Sequence, residues 1–199
     1  MHTKNTDLTA LLGSRICHDL ISPLGAIGNG IELLQMGGAL DGPEMALISD
    51  SVAHANARLR YFRVAFGAAS EGQLQNNDEL RDILENASGS PRLRVHWPVT
   101  SDQLRTDVKL AFLLIQCLET AMPYGGEIAI TKNGEDWRIQ GQAEKIKIDT
   151  DLWRRLSKPN DESPLLPAQV HFALVPDALR AAGRKLSAEL RETEIVVTF

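Results

Sequence analysis

The chain has 199 residues, enough for one medium domain or two small ones and too few for several full domains. Hydrophobic residues make up 43% and charged residues 24%, near the globular average, which excludes wholesale disorder, collagen-like and low-complexity classes. With 21 basic against 26 acidic residues the net charge is -5, so the bulk of the surface does not suit a phosphate backbone, and no nucleic-acid partner is expected.

The first predicted element runs from about Asp7 to Met36. Ile16, Leu20, Leu24, Ile27, Ile31 and Leu34 recur at steps of three and four, the stripe of a packed helix, with Thr6 or Asp7 placed to cap it. The run GGALDGP, residues 37–43, stops the helix and turns the chain. A second helix carries Ile48, Val52, Ala55, Leu59, Phe62 and Phe66 at the same spacing and ends at Gly67. Two long helices and a short turn make an antiparallel hairpin. Alone it exposes much of its apolar stripe. Pairing two hairpins into a four-helix bundle, a homodimer, covers that stripe economically; packing against the rest of the same chain is the other solution.

From about Gln73 the pattern becomes mixed. Glu79–Ala87 reads as a short helix, Leu93–Trp97 as a strand and Asp107–Ala121 as a strong helix. Glu127–Lys132 and Trp137–Gln142 read as a hairpin turned by Asn133-Gly134. Asp149–Leu156 is a short helix, Lys158–Pro167 a loop, and Ala168–Ala182 a helix with a kink or break near Pro176. Leu186–Leu190 and Glu194–Phe199 close the chain as strands. The expected fold class is α+β: a helical hairpin at residues 1–70, then a two-layer α/β sandwich at 71–199. Cys17 and Cys117 lack the number and spacing of a disulfide framework or zinc site and fit a reducing cytoplasm. The N-terminus has no apolar segment with a cleavage site and no later stretch reaches about 18 apolar residues, so neither signal peptide nor membrane span is expected.

The informative string is SRICHDLISPLGAI, residues 14–27. At about 100° per residue His18 lies far from Ile16 and Leu20 and so points outward, on a face shared with Arg15, Ser22, Gly25 and Asn29. Asp19 can hold one ring nitrogen of His18 and leave the other unprotonated and nucleophilic. Pro23 removes a backbone donor mid-helix and frees the carbonyl of Asp19. Acid, small polar residue and proline at fixed offsets from a histidine distinguish it from an idle exposed one.

His18-Asp19-x-x-Ser22-Pro23-Leu24 resembles the H-box of dimeric sensor histidine kinases, H-[ED]-x-x-[TN]-P-L, departing from it at Ile21, where a basic residue is common, and at Ser22. The surrounding SRICHDLISPLGAIGNGIELL is similar to the ChpT-type histidine phosphotransferases, a likeness that runs over the whole chain. The resemblance implies a dimeric four-helix bundle followed by a degenerate kinase-like ATP-binding domain. Where kinases carry two asparagines on the nucleotide helix, this chain has Gln116 and Thr120, with Glu119 between them. No Asp-x-Gly-x-Gly turn occurs, and KPNDESPLLPAQVHF stands in place of a glycine-rich lid, so no ATP-dependent kinase activity is expected.

The remaining candidates read as structural or solvated. His54 lies beside the core stripe of the second helix, His96 in a strand and His2 at the terminus. Arg58, Arg60 and Arg63 make either a partner-docking face or an ordinary solvated basic face. Met36 and Met45 flank the turn, Gly125-Gly126 reads as a plain turn, and Trp97, Trp137 and Trp153 are too scattered for a stacking platform and belong to a core or domain interface.

The function this implies is a phosphorelay histidine phosphotransferase. His18 takes a phosphoryl group from a receiver aspartate, Asp19 orients the ring, Arg15 helps neutralise the group and Ser22 stands beside it. The partners implied are receivers of a hybrid histidine kinase and of response regulators. No cofactor or metal of its own is expected, magnesium being held by the receiver. A divergent ATP-dependent histidine kinase and a non-catalytic dimeric adaptor of response regulators are the rival readings.

Overall fold

The computed structural model describes residues 8–37, 43–87, 92–158 and 164–199. Helices α1 (Leu8–Gly37) and α2 (Pro43–Phe66) form the N-terminal hairpin. Asp19 of α1 meets Arg58 of α2, at comparable chain distances from the 38–42 connection, as an antiparallel pair requires. The expected caps at Thr6 and Asp7 and most of the GGALDGP turn lie outside the described residues. α1 passes through Pro23 without ending.

After the hairpin come β1 (Leu74–Gln75), α3 (Asn77–Asn86), β2 (Leu93–His96), β3 (Gln103–Leu104), α4 (Arg105–Ala121), β4 (Gly126–Asn133) and β5 (Asp136–Gln142). They are followed by α5 (Thr150–Arg155), a single 3-10 turn at Pro167–Gln169, α6 (Val170–Ala182), β6 (Ser187–Leu190) and β7 (Glu194–Thr198). Local chemistry explains several boundaries. Asn76 caps α3 by accepting from the backbone N–H of Glu79, and Asp149 caps α5 through the N–H groups of Asp151 and Leu152. Gly134, at φ 61°, turns β4 into β5, which pair from Asn133 opposite Asp136. α6 runs through Pro176 and stops at Gly183, where φ is 66°. The pair β1–β3 was not expected from the sequence, because two-residue strands are too short to show a period.

The main sheet has the order β2-β4-β5-β7-β6, with β2 parallel to β4 and every other pair antiparallel. Ile128, Ile130, Trp137, Ile139, Ile195 and Val197 are wholly buried on one face, under α4 and α6. The other face carries Glu127, Thr131, Arg138 and Gln142, which are exposed, so the domain has two layers. α4 lies so close that a Cβ on Gly141 would stand 2.9 Å from Leu118 Cδ2. All three tryptophans are buried, as core residues.

The hairpin and the α/β domain share this core. Tyr61 of α2 is buried, stacks on Phe112 with ring centroids 4.8 Å apart, and donates to the Phe112 carbonyl at 2.8 Å. Arg105 and Lys109 of α4 donate to the carbonyls of Arg63 and Gly67 at the end of α2, where helix carbonyls run short of backbone donors. One face of α2 is therefore spent inside the chain. Another apolar face is not: Ile21, Leu24, Ile31 and Leu33 of α1 and Met45, Leu47, Val52 and Leu59 of α2 are exposed. These are eight of the twelve exposed large hydrophobics among the described residues, so the uncovered apolar surface is concentrated on the hairpin.

Asp107 is buried at the base of α4, where Arg184 donates to it twice, at 2.8 and 3.2 Å, and Trp137 Nε1 once, at 3.3 Å. Replacing Arg184 with Met leaves that carboxylate buried without its cation and should cost about 3 kcal/mol, measured by urea unfolding at neutral pH.

Candidate functional site

The site is built around α1 where Pro23 interrupts the hydrogen-bond ladder. A proline cannot donate, so the carbonyl of Asp19, four residues back, has no helical partner. His18 leaves the helix outward as its spacing predicts, with 87% of its side chain exposed. Asp19, the next residue, turns inward and is only 9% exposed.

The two oxygens of Asp19 are used differently. Oδ1 lies 3.2 Å from His18 Nδ1. Oδ2 accepts from Arg15 Nε at 3.0 Å and from Arg58 Nη2 at 2.9 Å. A neutral imidazole that donates from Nδ1 to this carboxylate keeps its lone pair on Nε2, which faces solvent. The arrangement thus presents a nucleophilic nitrogen with no side chain in front of it.

Arg15 does not stand free beside the imidazole. Its guanidinium folds back onto Asp19 and donates from Nη1 to the Ala168 carbonyl at 3.1 Å, because a partly buried carboxylate attracts a neighbouring cation more strongly than open water holds it. Ser22 is exposed and lines, with His18, Asp19, Pro23, Asp50, His54 and Arg58, an open groove of about 660 Å³ between the hairpin and the end of α3. His54, beside the core stripe as expected, is exposed and lines this groove.

The three arginines of α2 are all engaged in ion pairs within the chain. Arg58 joins Asp19 to the Ala87 carbonyl, Arg60 pairs with Asp82 and Arg63 with Glu79, so all three tie α2 to its surroundings at α1 and α3. Their partners are far away in the chain, and residue spacing carries no trace of them. His171 was also missed. It is buried in α6, within 3.1 Å of Thr120 Oγ1, whose hydroxyl donates to the Gln116 carbonyl. Thr120 in this way links α4 to α6, and Gln116, Glu119 and Thr120 line a small cavity with Arg15 and Arg58. Among the described residues no cluster of His, Cys, Asp and Glu is arranged to hold a metal ion, and no helix is long and apolar enough to cross a membrane.

Residues 77–194 match the family described as the histidine phosphotransferase C-terminal domain. The chain is 41% identical over 198 residues to protein phosphotransferase ChpT of Brucella abortus (strain 2308), covering 96% of this chain and 93% of that one. This chain belongs to the histidine phosphotransferase family. A solved structure of a bacterial phosphotransferase superposes on it with a TM-score of 0.79 at 31% identity, covering 96% of this chain and 95% of the other. The family match falls on the α/β domain, while the match to the Brucella protein takes in nearly the whole chain, hairpin included. The histidine phosphotransferase assignment thus accords with the H-box resemblance and with the α+β fold.

Two titrating groups at the junction of hairpin and α/β domain, His171 buried and Glu119 half-buried, give this phosphotransferase a readable acid response. Burial pulls His171 down to about 3, with Arg15 adding to the effect, so the folded ring refuses a proton that the unfolded ring takes near 6.5. Stability should therefore fall as the pH drops from about 6.5 towards 3, by about 1.4 kcal/mol per pH unit at full effect. Glu119 acts in the opposite sense. Burial raises it to about 7 against the pull of Arg58 and Arg15, so its contribution is lost as the pH rises from about 4.5 to 7. Urea unfolding across pH 4 to 8 should show His171→Phe flattening the acid slope and Glu119→Gln gaining stability over wild type towards neutral pH.

Proposed function

We propose that this chain is a phosphorelay histidine phosphotransferase in which His18 is the phosphoacceptor. The observation that supports this best is the exposed imidazole whose Nδ1 meets a buried carboxylate, at the rim of an open groove. In the proposed step a receiver's aspartyl phosphate comes in line with Nε2. The Nε2 lone pair forms the new N–P bond as the P–O bond to the aspartate breaks, and the electron pair leaves with the receiver carboxylate. The Nδ1 proton stays, held by Asp19, which balances the positive charge that the ring gains. Reversal onto a second receiver's aspartate completes the relay. Little covalent assistance is needed, since phosphoryl transfer depends chiefly on alignment and charge neutralisation. The receiver's acidic pocket would hold the magnesium ion.

The groove beside His18 suits a receiver: it is open, polar at His18, Asp50 and His54, and broad enough for transient docking. Ser22 and Pro23, small and compact, let a partner approach the ring. On this reading residues 1–70 are the dimerisation and phosphotransfer unit and residues 71–199 a kinase-like domain without kinase activity, working in the cytoplasm. The absence of an Asp-x-Gly-x-Gly turn, with Gln116 and Thr120 where kinases carry asparagines, supports the lack of ATP use. The homodimer is supported by the spacing of the exposed apolar residues. Leu24 and Ile31, and Met45, Val52 and Leu59, recur every seven residues, the seam of a helical bundle.

Incubation of the purified protein with a phosphorylated receiver should label the wild type, and His18→Ala should abolish the label while leaving the fold intact, because the ring is exposed. Label on His18 from ATP and magnesium alone would favour the divergent kinase; full signalling activity in His18→Ala would favour the adaptor. Sedimentation should find a dimer, which Leu24→Asp combined with Val52→Asp converts to monomer.

A further inference from the structure

The carboxylate that faces His18 is not held by the hairpin alone. Both guanidiniums on Asp19 Oδ2 are themselves anchored to backbone carbonyls of the α/β domain. Arg58 donates from Nη1 to Ala87, the residue that ends α3, at 3.2 Å. Arg15 donates from Nη1 to Ala168, in the 3-10 turn before α6. Arg58 is further confined by the Phe62 ring, whose centroid is 5.4 Å from the guanidinium carbon, and only 18% of its side chain is exposed. The two arginines also line one cavity with Glu119 of α4, so the whole assembly sits at the seam between hairpin and α/β domain.

The division of labour between the two carboxylate oxygens gives this geometry a consequence. The last torsion of an aspartate is soft and nearly two-fold, so a carboxylate with free oxygens presents either of them, over a broad range of angles. Here Oδ2 is occupied twice and Oδ1 is left to the imidazole. Fixing Oδ1 selects the ring tautomer with its proton on Nδ1, which keeps Nε2 as the nucleophile.

We propose that Arg58 is a positioning residue for the phosphoacceptor, a strut through which the α/β domain holds Asp19 and thereby selects the His18 tautomer that reacts. This rests on the reading of His18 given above and assigns work to a domain that keeps no nucleotide motif. The strut needs an arginine. Its planar fork reaches Asp19 and the Ala87 carbonyl together, whereas a lysine ammonium in the same place is a single point of charge on a flexible stem.

The test is the nitrogen-15 NMR signature of the His18 ring in the free protein near pH 8, assigned by difference with His18→Ala. Wild type should show predominantly the Nδ1–H tautomer. Arg58→Met, which keeps an apolar stem over Phe62, should show a mixture of tautomers and take phosphate from a phosphorylated receiver about tenfold or more slowly. Arg58→Lys should fall between the two. Arg60→Met is the control, because Arg60 ties the same helix to α3 through Asp82 without touching Asp19, and its ring signature should match wild type. A folded Arg58→Met protein with the wild-type signature and rate overturns the proposal. Should that variant fail to fold, Arg58→Lys decides, since a wild-type signature there overturns the proposal equally. If the wild type accepts no phosphoryl group the assigned function fails, but the ring spectra, recorded without a receiver, still decide whether Arg58 sets the tautomer.

Discussion

A carboxylate that is nearly buried must be compensated, and at Asp19 the compensation organises the molecule. Two guanidiniums and one imidazole share its two oxygens, at 2.9 to 3.2 Å. Each guanidinium also donates to a backbone carbonyl of the α/β domain, so electrostatic satisfaction and domain docking are a single requirement. The imidazole is the only one of the three that keeps an open face. What orients the His18 ring and what holds the hairpin against the rest of the chain therefore share the same few atoms.

The hairpin divides its apolar surface between two purposes. Tyr61, Phe62, Val64 and Ala65 of α2 enter the common core with α4, at no more than 4% exposure. A second stripe, on both helices, stays uncovered in the single chain and recurs at bundle spacing. The sequence offered packing on its own chain and pairing with a second hairpin as alternatives. The fold uses the first for one face and leaves the other available for the second.

The junction also holds two displaced titrating groups. His171 and Glu119 are both pushed toward their neutral forms by loss of water; Arg15 adds to the effect at His171, whereas Arg58 and Arg15 oppose it at Glu119. Thr120 lies within hydrogen-bond distance of His171 and joins α4 to α6 at this junction.

Much of this was legible in the sequence. The two long helices, the strong helix ending at Ala121, the hairpin at Asn133-Gly134 and the closing strands follow from hydrophobic period and turn chemistry, which are local properties of the chain. So does the outward direction of His18, and its coupling to Asp19 needs only adjacency. The positions of Arg15 and Arg58 were decided by tertiary structure alone. Arg15 belongs by spacing to the face of His18, yet a long flexible side chain goes where uncompensated charge lies, and here that is inward. Arg58 is separated from Asp19 by 39 residues and from Ala87 by 29, and no periodicity connects residues that meet only when two elements dock. Sequence alone singled out the proposed phosphoacceptor and the carboxylate beside it, because both stand on one turn of one helix; what holds that carboxylate still had to await the fold, because its guanidinium partners come from α1 and α2 and are anchored in turn at the end of α3 and in the turn before α6.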